Sequence, residues 1–289
     1  MPGNAAPAPS FRRAFVLGGG GYLGAHEVGM LKALLEAGIR PDLVVGTSVG
    51  AINGALVSAD PTPAAVDRLT EVWTGLASSA VFAGSVLQRA RTAARSRTYL
   101  HSNTQLRALL EADLHGRRIE DLAVPFQCVA AGIESAAEHW FTEGPVVDAL
   151  LASSAVPGLL PAVRIGDRHY LDGGLVNSIP VGRAVTLGAR EVYVLQVGRV
   201  EKPLRPARRP WEVPLVAFEI ARRHRFAREL SDLPADVTVH VLPTGSADDA
   251  VPGPIGQLRY RDAERVTERI DRAYAASARY LAALPARHG

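Results

Sequence analysis

Three features of this 289-residue chain suit acyl chemistry by residue type and spacing: a serine between glycines, a run of four glycines, and an aspartate before two more glycines. Gly46-Thr47-Ser48-Val49-Gly50 has the G-x-S-x-G pattern, whose small flanking residues let a serine occupy a strained strand-to-helix turn with its hydroxyl exposed. That turn lies near the positive end of the following helix, where negative charge is favoured. Alone, the pentapeptide equally describes a glycine-rich turn whose serine caps a helix. Gly18, Gly19, Gly20 and Gly21, followed by Tyr22, Leu23 and Gly24, can aim backbone N–H groups at one point, as an oxyanion hole requires. The alternative is a packing turn, for which four consecutive glycines are costly in chain entropy. Asp172, in Leu171-Asp172-Gly173-Gly174, is by itself a simple turn.

The surrounding elements decide which readings hold. Ala14 to Leu17 is a short apolar run ending at the glycines, so it predicts a buried strand running into a tight turn. Val28, Leu31 and Leu35 recur at helical spacing between Ala25 and Ala37, with Gly38 at the expected cap. Leu43 to Val45 predicts a second strand and Val49 to Val57 a second helix, a βαβα start that implies a parallel sheet. Helices are expected over Pro63–Ala77, after Thr62 as N-cap, over Thr104–Leu114 and over Asp262–Leu284. Further strands are expected over Phe126–Ala131, Glu191–Val197 and Val237–Leu242. Residues 1–10, rich in proline and alanine, predict a disordered N-terminus, and residues 11–289 one domain, with Lys202–Pro210 as the best linker candidate.

Gly19, Gly21 and Gly24 also fit G-x-G-x-x-G between a strand and a helix, the pattern of a dinucleotide site. Such a site needs an acid at the end of the second strand to hold the ribose. Here that strand runs into Gly46-Thr47-Ser48, and the nearby acid, Asp42, precedes it. The dinucleotide reading fails at that point, and no cofactor is implied.

Bulk properties bound the rest. The hydrophobic content of 47% can supply a sizeable core. A single cysteine, Cys128, forms no internal disulfide, so a reducing, cytoplasmic compartment is the expectation. Leu43–Ala59 carries no formal charge, but Gly46, Gly50, Asn53 and Gly54 interrupt it and it falls short of the roughly 20 apolar residues of a membrane span. The net charge of +3 is mild, and only two of the 32 basic residues are lysines. No His/Cys cluster is present, so no metal site is implied.

Taken together and in this order, the glycine loop, the elbow about 25 residues later and the distant D-G-G resemble the patatin-like phospholipases. The text around them resembles that family too, at Gly38–Gly54 and Ala152–Gly158, and the likeness covers about Phe15–Gly198. The resemblance implies a three-layer α/β/α sandwich with a mostly parallel central sheet. It also implies a Ser48–Asp172 dyad in which the aspartate itself takes the serine proton, an acyl-enzyme intermediate and a lipid or ester substrate. In one place the chain departs from the pattern, since Leu23 stands where the family usually has Arg or Lys before the last glycine. A non-catalytic lipid-binding protein on the same fold is therefore the alternative function.

A Ser-His-Asp triad would need a late histidine, and the candidates are poor: His224 falls in an Arg-rich helix, His240 in a predicted strand and His288 at the terminus. His169, three residues before Asp172, is read as structural. The uncharged run Ala149–Val163, broken by Pro157 and Pro161, could line an acyl trough or form core. Arg89, Arg91, Arg95 and Arg97, and Arg222, Arg223, Arg225 and Arg228, could give peripheral contact with anionic headgroups or form solvated helix faces. No nucleic-acid motif accompanies them.

Overall fold

The computed structural model describes residues 11–78, 98–197, 203–204, 206–207, 209–245 and 263–285. The predicted disordered N-terminus, His288, the linker-candidate residues Lys202, Arg205 and Arg208, and the arginines at 89, 91, 95 and 97 lie outside them. The expected βαβα start is present. Strand β1 (Arg13–Leu17) leads through the glycines to helix α1 (Ala25–Glu36), and β2 (Leu43–Thr47) leads through Ser48 to α2 (Val49–Ala59). Gly38, at φ 73°, closes α1, with Ile39 N–H reaching back to the Leu34 carbonyl at 2.9 Å. Helices α3 (Pro63–Ser78) and α4 (Thr104–Leu114) follow, then strands β3 (Phe126–Gly132) and β4 (Ala137–Phe141) and helix α5 (Val146–Ser153). Beyond these come β5 (Val163–Ile165), β6 (Arg168–Asp172), α6 (Val181–Thr186), β7 (Glu191–Leu195), α7 (Val213–Ser231), β8 (Thr238–Val241) and α8 (Ala263–Ala282).

The strands form one sheet whose hydrogen-bonded neighbours run β5, β6, β3, β2, β1, β7, β8, with β4 added to β3. The pairs β1–β2, β1–β7, β2–β3 and β7–β8 are parallel, and those involving β4, β5 and β6 are antiparallel. Since β8 pairs with β7, segments on both sides of the linker candidate join the same sheet. The period of two divides each central strand between two cores. Phe15, Leu17, Val44 and Tyr193 face the layer holding α1, α2, α3 and α8, while Ala14, Val16, Val45 and Val194 share a second cluster with Val181, Ala184 and Phe226 of α6 and α7. The result is the three-layer α/β/α arrangement with a mostly parallel sheet.

Strand β3 sets the site's geometry. Cys128 and Val129 pair with β2 on one edge and with β4 on the other, and Ala130 pairs with both β4 and Asp172 of β6. A residue in a sheet has only two edges, so β2 and β6 must share one edge of β3 and meet end to end. Thr47 pairs with Val129 and Asp172 with Ala130, which brings the residue after β2, Ser48, against the last residue of β6.

Candidate active site

Ser48 sits where β2 turns into α2, at φ 55° and ψ −125°, a left-handed conformation that costs a non-glycine residue about 1–3 kcal/mol. Close packing holds the turn. A Cβ on Gly50 would overlap the Leu17 carbonyl of the adjacent strand, and one on Gly46 would lie 2.6 Å from Ala51 Cα. The Ser48 N–H donates to Ser153 Oγ at 2.9 Å, while the Ser48 carbonyl accepts from the N–H groups of Ala51 and Ile52. Ser153 closes α5 inside the uncharged run Ala149–Val163, whose Ala149, Leu150, Leu151, Ala152, Ala155, Leu160 and Val163 pack as core while Pro157, Gly158 and Ala162 are exposed. Ser153→Ala would leave a buried N–H without its acceptor. The expected cost is about 1–3 kcal/mol of folding stability, to be read from urea unfolding.

Asp172 ends β6, its N–H donating to the Ala155 carbonyl at 2.9 Å. Its Oδ1 accepts from the Gly174 N–H at 2.7 Å, and its Oδ2 accepts from Ser48 Oγ–H at 2.6 Å. Gly173 packs so tightly on Val129 that a Cβ there would overlap the carbonyl. Both partners are nearly closed off, Ser48 being 5% and Asp172 7% exposed. Burial pushes the Asp172 carboxyl up to about 6, against the opposing pull of the Ser48 and Gly174 hydrogen bonds.

The histidines lie elsewhere. His169 Nδ1 is 2.7 Å from Glu134 Oε1, His240 stacks on Tyr193, and His224 is exposed on α7.

The glycine loop divides into two halves. Gly18 and Gly19 donate their N–H groups to the carbonyls of Leu195 and Ser178, each at 2.9 Å, so they anchor the loop to β7 and to the segment after the D-G-G. The sequence reading assigned all four glycines to an oxyanion, and this corrects it: the acceptors come from distant strands and loops. Among the described residues, the N–H groups of Gly20 and Gly21 have no carbonyl to bind. Gly20 is pressed against the Val197 side chain, and Gly19 packs 3.4 Å from Ser48 Cβ, measured from where its own Cβ would stand.

A buried polar network that the sequence reading missed supports the loop from α1. Asn53 Nδ2 donates to the Gly24 carbonyl at 3.1 Å and to Glu27 Oε2 at 2.7 Å, and Trp73 Nε1 donates to Asn53 Oδ1 at 2.9 Å. Gly24 leaves room for the Trp73 ring, which a Cβ would meet at 2.6 Å. Glu27 is wholly buried, and that burial raises its carboxyl well above the usual range. The available signal was an acid in the otherwise apolar face of α1.

The arginines of α7 are mostly committed to carboxylates. Arg222 and Arg223 bind Glu219, and Arg225 binds Glu138 and Glu229, while Arg228 is exposed. Three of these four arginines are therefore ion-paired within the fold. Among the described residues no group of three His, Cys, Asp or Glu side chains could hold a metal ion, and no helix is long and apolar enough to cross a membrane.

A strained serine at a strand-to-helix turn, hydrogen-bonded to a buried carboxylate beneath a glycine loop, defines the site by geometry. A family model described as patatin-like phospholipase matches residues 15–185, and the chain belongs to that family. Patatin-like phospholipase domain-containing protein ZK370.4 of Caenorhabditis elegans is 32% identical over 189 residues, covering 65% of this chain and 14% of that protein. Patatin-like phospholipase domain-containing protein 6 of Homo sapiens is 32% identical over 187 residues, 64% of this chain and 13% of that protein. Lysophospholipase nte1 of Emericella nidulans is 30% identical over 186 residues, 64% of this chain and 12% of that protein. The chain thus spans 12–14% of the length of these curated relatives. The crystal structure of VipD from Legionella pneumophila aligns with 95% of this chain and 67% of that chain, at 12% identity and a TM-score of 0.46.

Proposed function

We propose that the protein is a serine acyl hydrolase acting on lipid esters, with Ser48 as nucleophile and Asp172 as its base. The observation that carries this is the 2.6 Å hydrogen bond from Ser48 Oγ to Asp172 Oδ2, made directly and within the reach that proton transfer needs. Asp172 takes the hydroxyl proton as Oγ attacks the acyl carbonyl carbon, and the carbonyl electron pair moves onto oxygen. Gly20 and Gly21 N–H groups serve as donors to that oxyanion, each worth about 3 kcal/mol in a site of this kind. Collapse of the intermediate breaks the ester C–O bond, and the leaving alkoxide takes the proton from Asp172. Water then gives a proton to Asp172 and attacks the acyl-enzyme, which releases the fatty acid and restores Ser48.

The lipid substrate class is supported by membership in the patatin-like phospholipase family and by a relative named as a lysophospholipase. The alternative of a lipid-binding protein without catalysis finds less support, because the serine, its strained turn and its carboxylate partner are all in place.

Treatment with a fluorophosphonate, followed by peptide mass spectrometry, tests the reading. The expected result is one adduct on Ser48, with loss of ester hydrolysis in proportion to labelling. Hydrolysis that continues after complete labelling of Ser48, or an adduct only on another serine, would overturn it.

A further inference from the structure

Ser48 and the glycine loop belong to different elements, and one buried amide ties them together. Asn53 lies on α2 five residues after Ser48, about 7 Å along the helix, and is wholly buried. Its amide meets three other elements. Nδ2 donates to the Gly24 carbonyl at the end of the loop at 3.1 Å and to Glu27 Oε2 of α1 at 2.7 Å, while Oδ1 accepts from Trp73 Nε1 of α3 at 2.9 Å. An indole N–H can only donate and a carbonyl can only accept, so Trp73 and Gly24 between them fix which way the amide faces. A leucine of the same size could satisfy neither.

The loop carries that hold to the groups that face the oxyanion. Gly21–Gly24 is a single turn of 3-10 helix, and its Leu23 N–H donates to the Gly20 carbonyl at 3.3 Å. The Gly20 carbonyl shares its peptide with the Gly21 N–H, so that donor and Gly24 are joined in one short unit. Gly24 also has little room to shift. A Cβ on it would lie 2.6 Å from the Trp73 ring and 3.0 Å from Cγ2 of Val49, the residue directly after the nucleophile. The other end of the loop is anchored separately, by the Gly18 and Gly19 N–H groups on Leu195 and Ser178. Gly20 and Gly21 are thus spanned between two fixed points, and Asn53 supplies the one that belongs to the nucleophile's own helix.

We propose that Asn53 is a positioning residue for acyl transfer, holding the Gly20 and Gly21 N–H groups at the distance from Ser48 that the oxyanion needs. The inference rests on the proposed roles of Ser48 and the glycine loop. Donors placed in advance act on the state in which negative charge develops, so their displacement falls on kcat and on the binding of transition-state analogues while KM stays in place.

The test compares Asn53→Leu, Trp73→Phe and Leu56→Ala with the parent chain, in hydrolysis of a short-chain p-nitrophenyl ester and in inhibition by an alkyl trifluoromethyl ketone. Ser48 Oγ adds to the ketone's carbonyl carbon as its proton passes to Asp172, so the adduct carries the oxyanion and has no leaving group. Leu56, buried in the core three residues further along α2, is the control for lost stability. Asn53→Leu is expected to lower kcat about ten- to a hundredfold and to raise the ketone's Ki by a similar factor at unchanged KM, the scale on which a displacement of about 1 Å acts. Trp73→Phe removes only the donor that orients the amide and should lose several-fold in both. Leu56→Ala should unfold at lower urea yet keep the parent's kcat and Ki. An Asn53→Leu enzyme with the parent's kcat, a loss of kcat that leaves the Ki unchanged, or an equal loss in Leu56→Ala would overturn the proposal. Should Asn53→Leu fail to fold, Trp73→Phe decides: a several-fold change in both kcat and Ki at unchanged KM supports the clamp, and the parent's values reject it. Failure of the nucleophile assignment shows separately, as absence of the fluorophosphonate adduct on Ser48 in the parent.

Discussion

Ser48→Ala is expected to lower kcat for ester hydrolysis by about four to six orders of magnitude, the scale on which removal of a covalent nucleophile acts in serine hydrolases. The loss is this large because no neighbouring group can take over the attack. Ser153 Oγ holds the Ser48 N–H from beneath the turn, and Ser178 Oγ holds Arg222 beyond Gly19. Activity should therefore fall to the level left by the glycine loop and substrate binding alone. The substitution also removes a donor from Asp172. Because the Ser48 hydrogen bond pulls the Asp172 carboxyl down against its burial, the carboxyl should titrate higher in the alanine variant than in the parent. Carbonyl-stretch infrared difference spectra across pH, with Asp172→Asn as the blank, would read that shift. A variant retaining a tenth of the parent's turnover would rule out Ser48 as the acyl acceptor.

The parts of the site that were legible in the sequence are those specified locally. The elbow, the strand before it and the helix after it are contiguous, and small residues at 46 and 50 are needed at one turn whatever the rest of the chain does. Strands β4, β5 and β6 were not legible, because they are short, partly exposed and mixed in polarity, with no clear period of two. Yet β6 delivers Asp172, and it does so by register on β3, where Asp172 pairs with Ala130 far back along the chain. Long-range pairing also decided the glycines. Four consecutive N–H groups look equivalent along the chain, and only the arrival of Leu195 and Ser178 commits two of them. The partners of the α7 arginines were hidden for the same reason. Their carboxylate partners Glu219 and Glu229 sit on the same helix, but whether a guanidinium faces solvent or Ser178 depends on which side of α7 the sheet covers.

Asp172→Asn should separate catalysis from stability in opposite directions. Removal of the general base is expected to cost about 10²–10⁴ in kcat. In the parent, kcat/KM should rise with pH through a midpoint near 6, because only the ionised carboxylate accepts the Ser48 proton; the variant should lack that limb. Stability moves the other way. The folded-state carboxyl titrates at about 6 and the unfolded one near the ordinary aspartate value of 3.8, so the folded state holds the proton more tightly. Below about pH 4 both states are protonated and burial of Asp172 carries no ionisation cost. As pH rises through 6 the folded protein must ionise a buried group, and the native state loses about 3 kcal/mol relative to the unfolded chain. Asparagine avoids this loss and keeps both contacts, its oxygen accepting from Gly174 N–H and its amide donating to Ser48 Oγ. Denaturant unfolding at pH 8 should therefore show the asparagine variant more stable by about 2–3 kcal/mol, with the difference gone at pH 4. Equal stability at pH 8 would mean that Asp172 is not held as a desolvated base, and an advantage persisting unchanged at pH 4 would assign it to packing instead of charge.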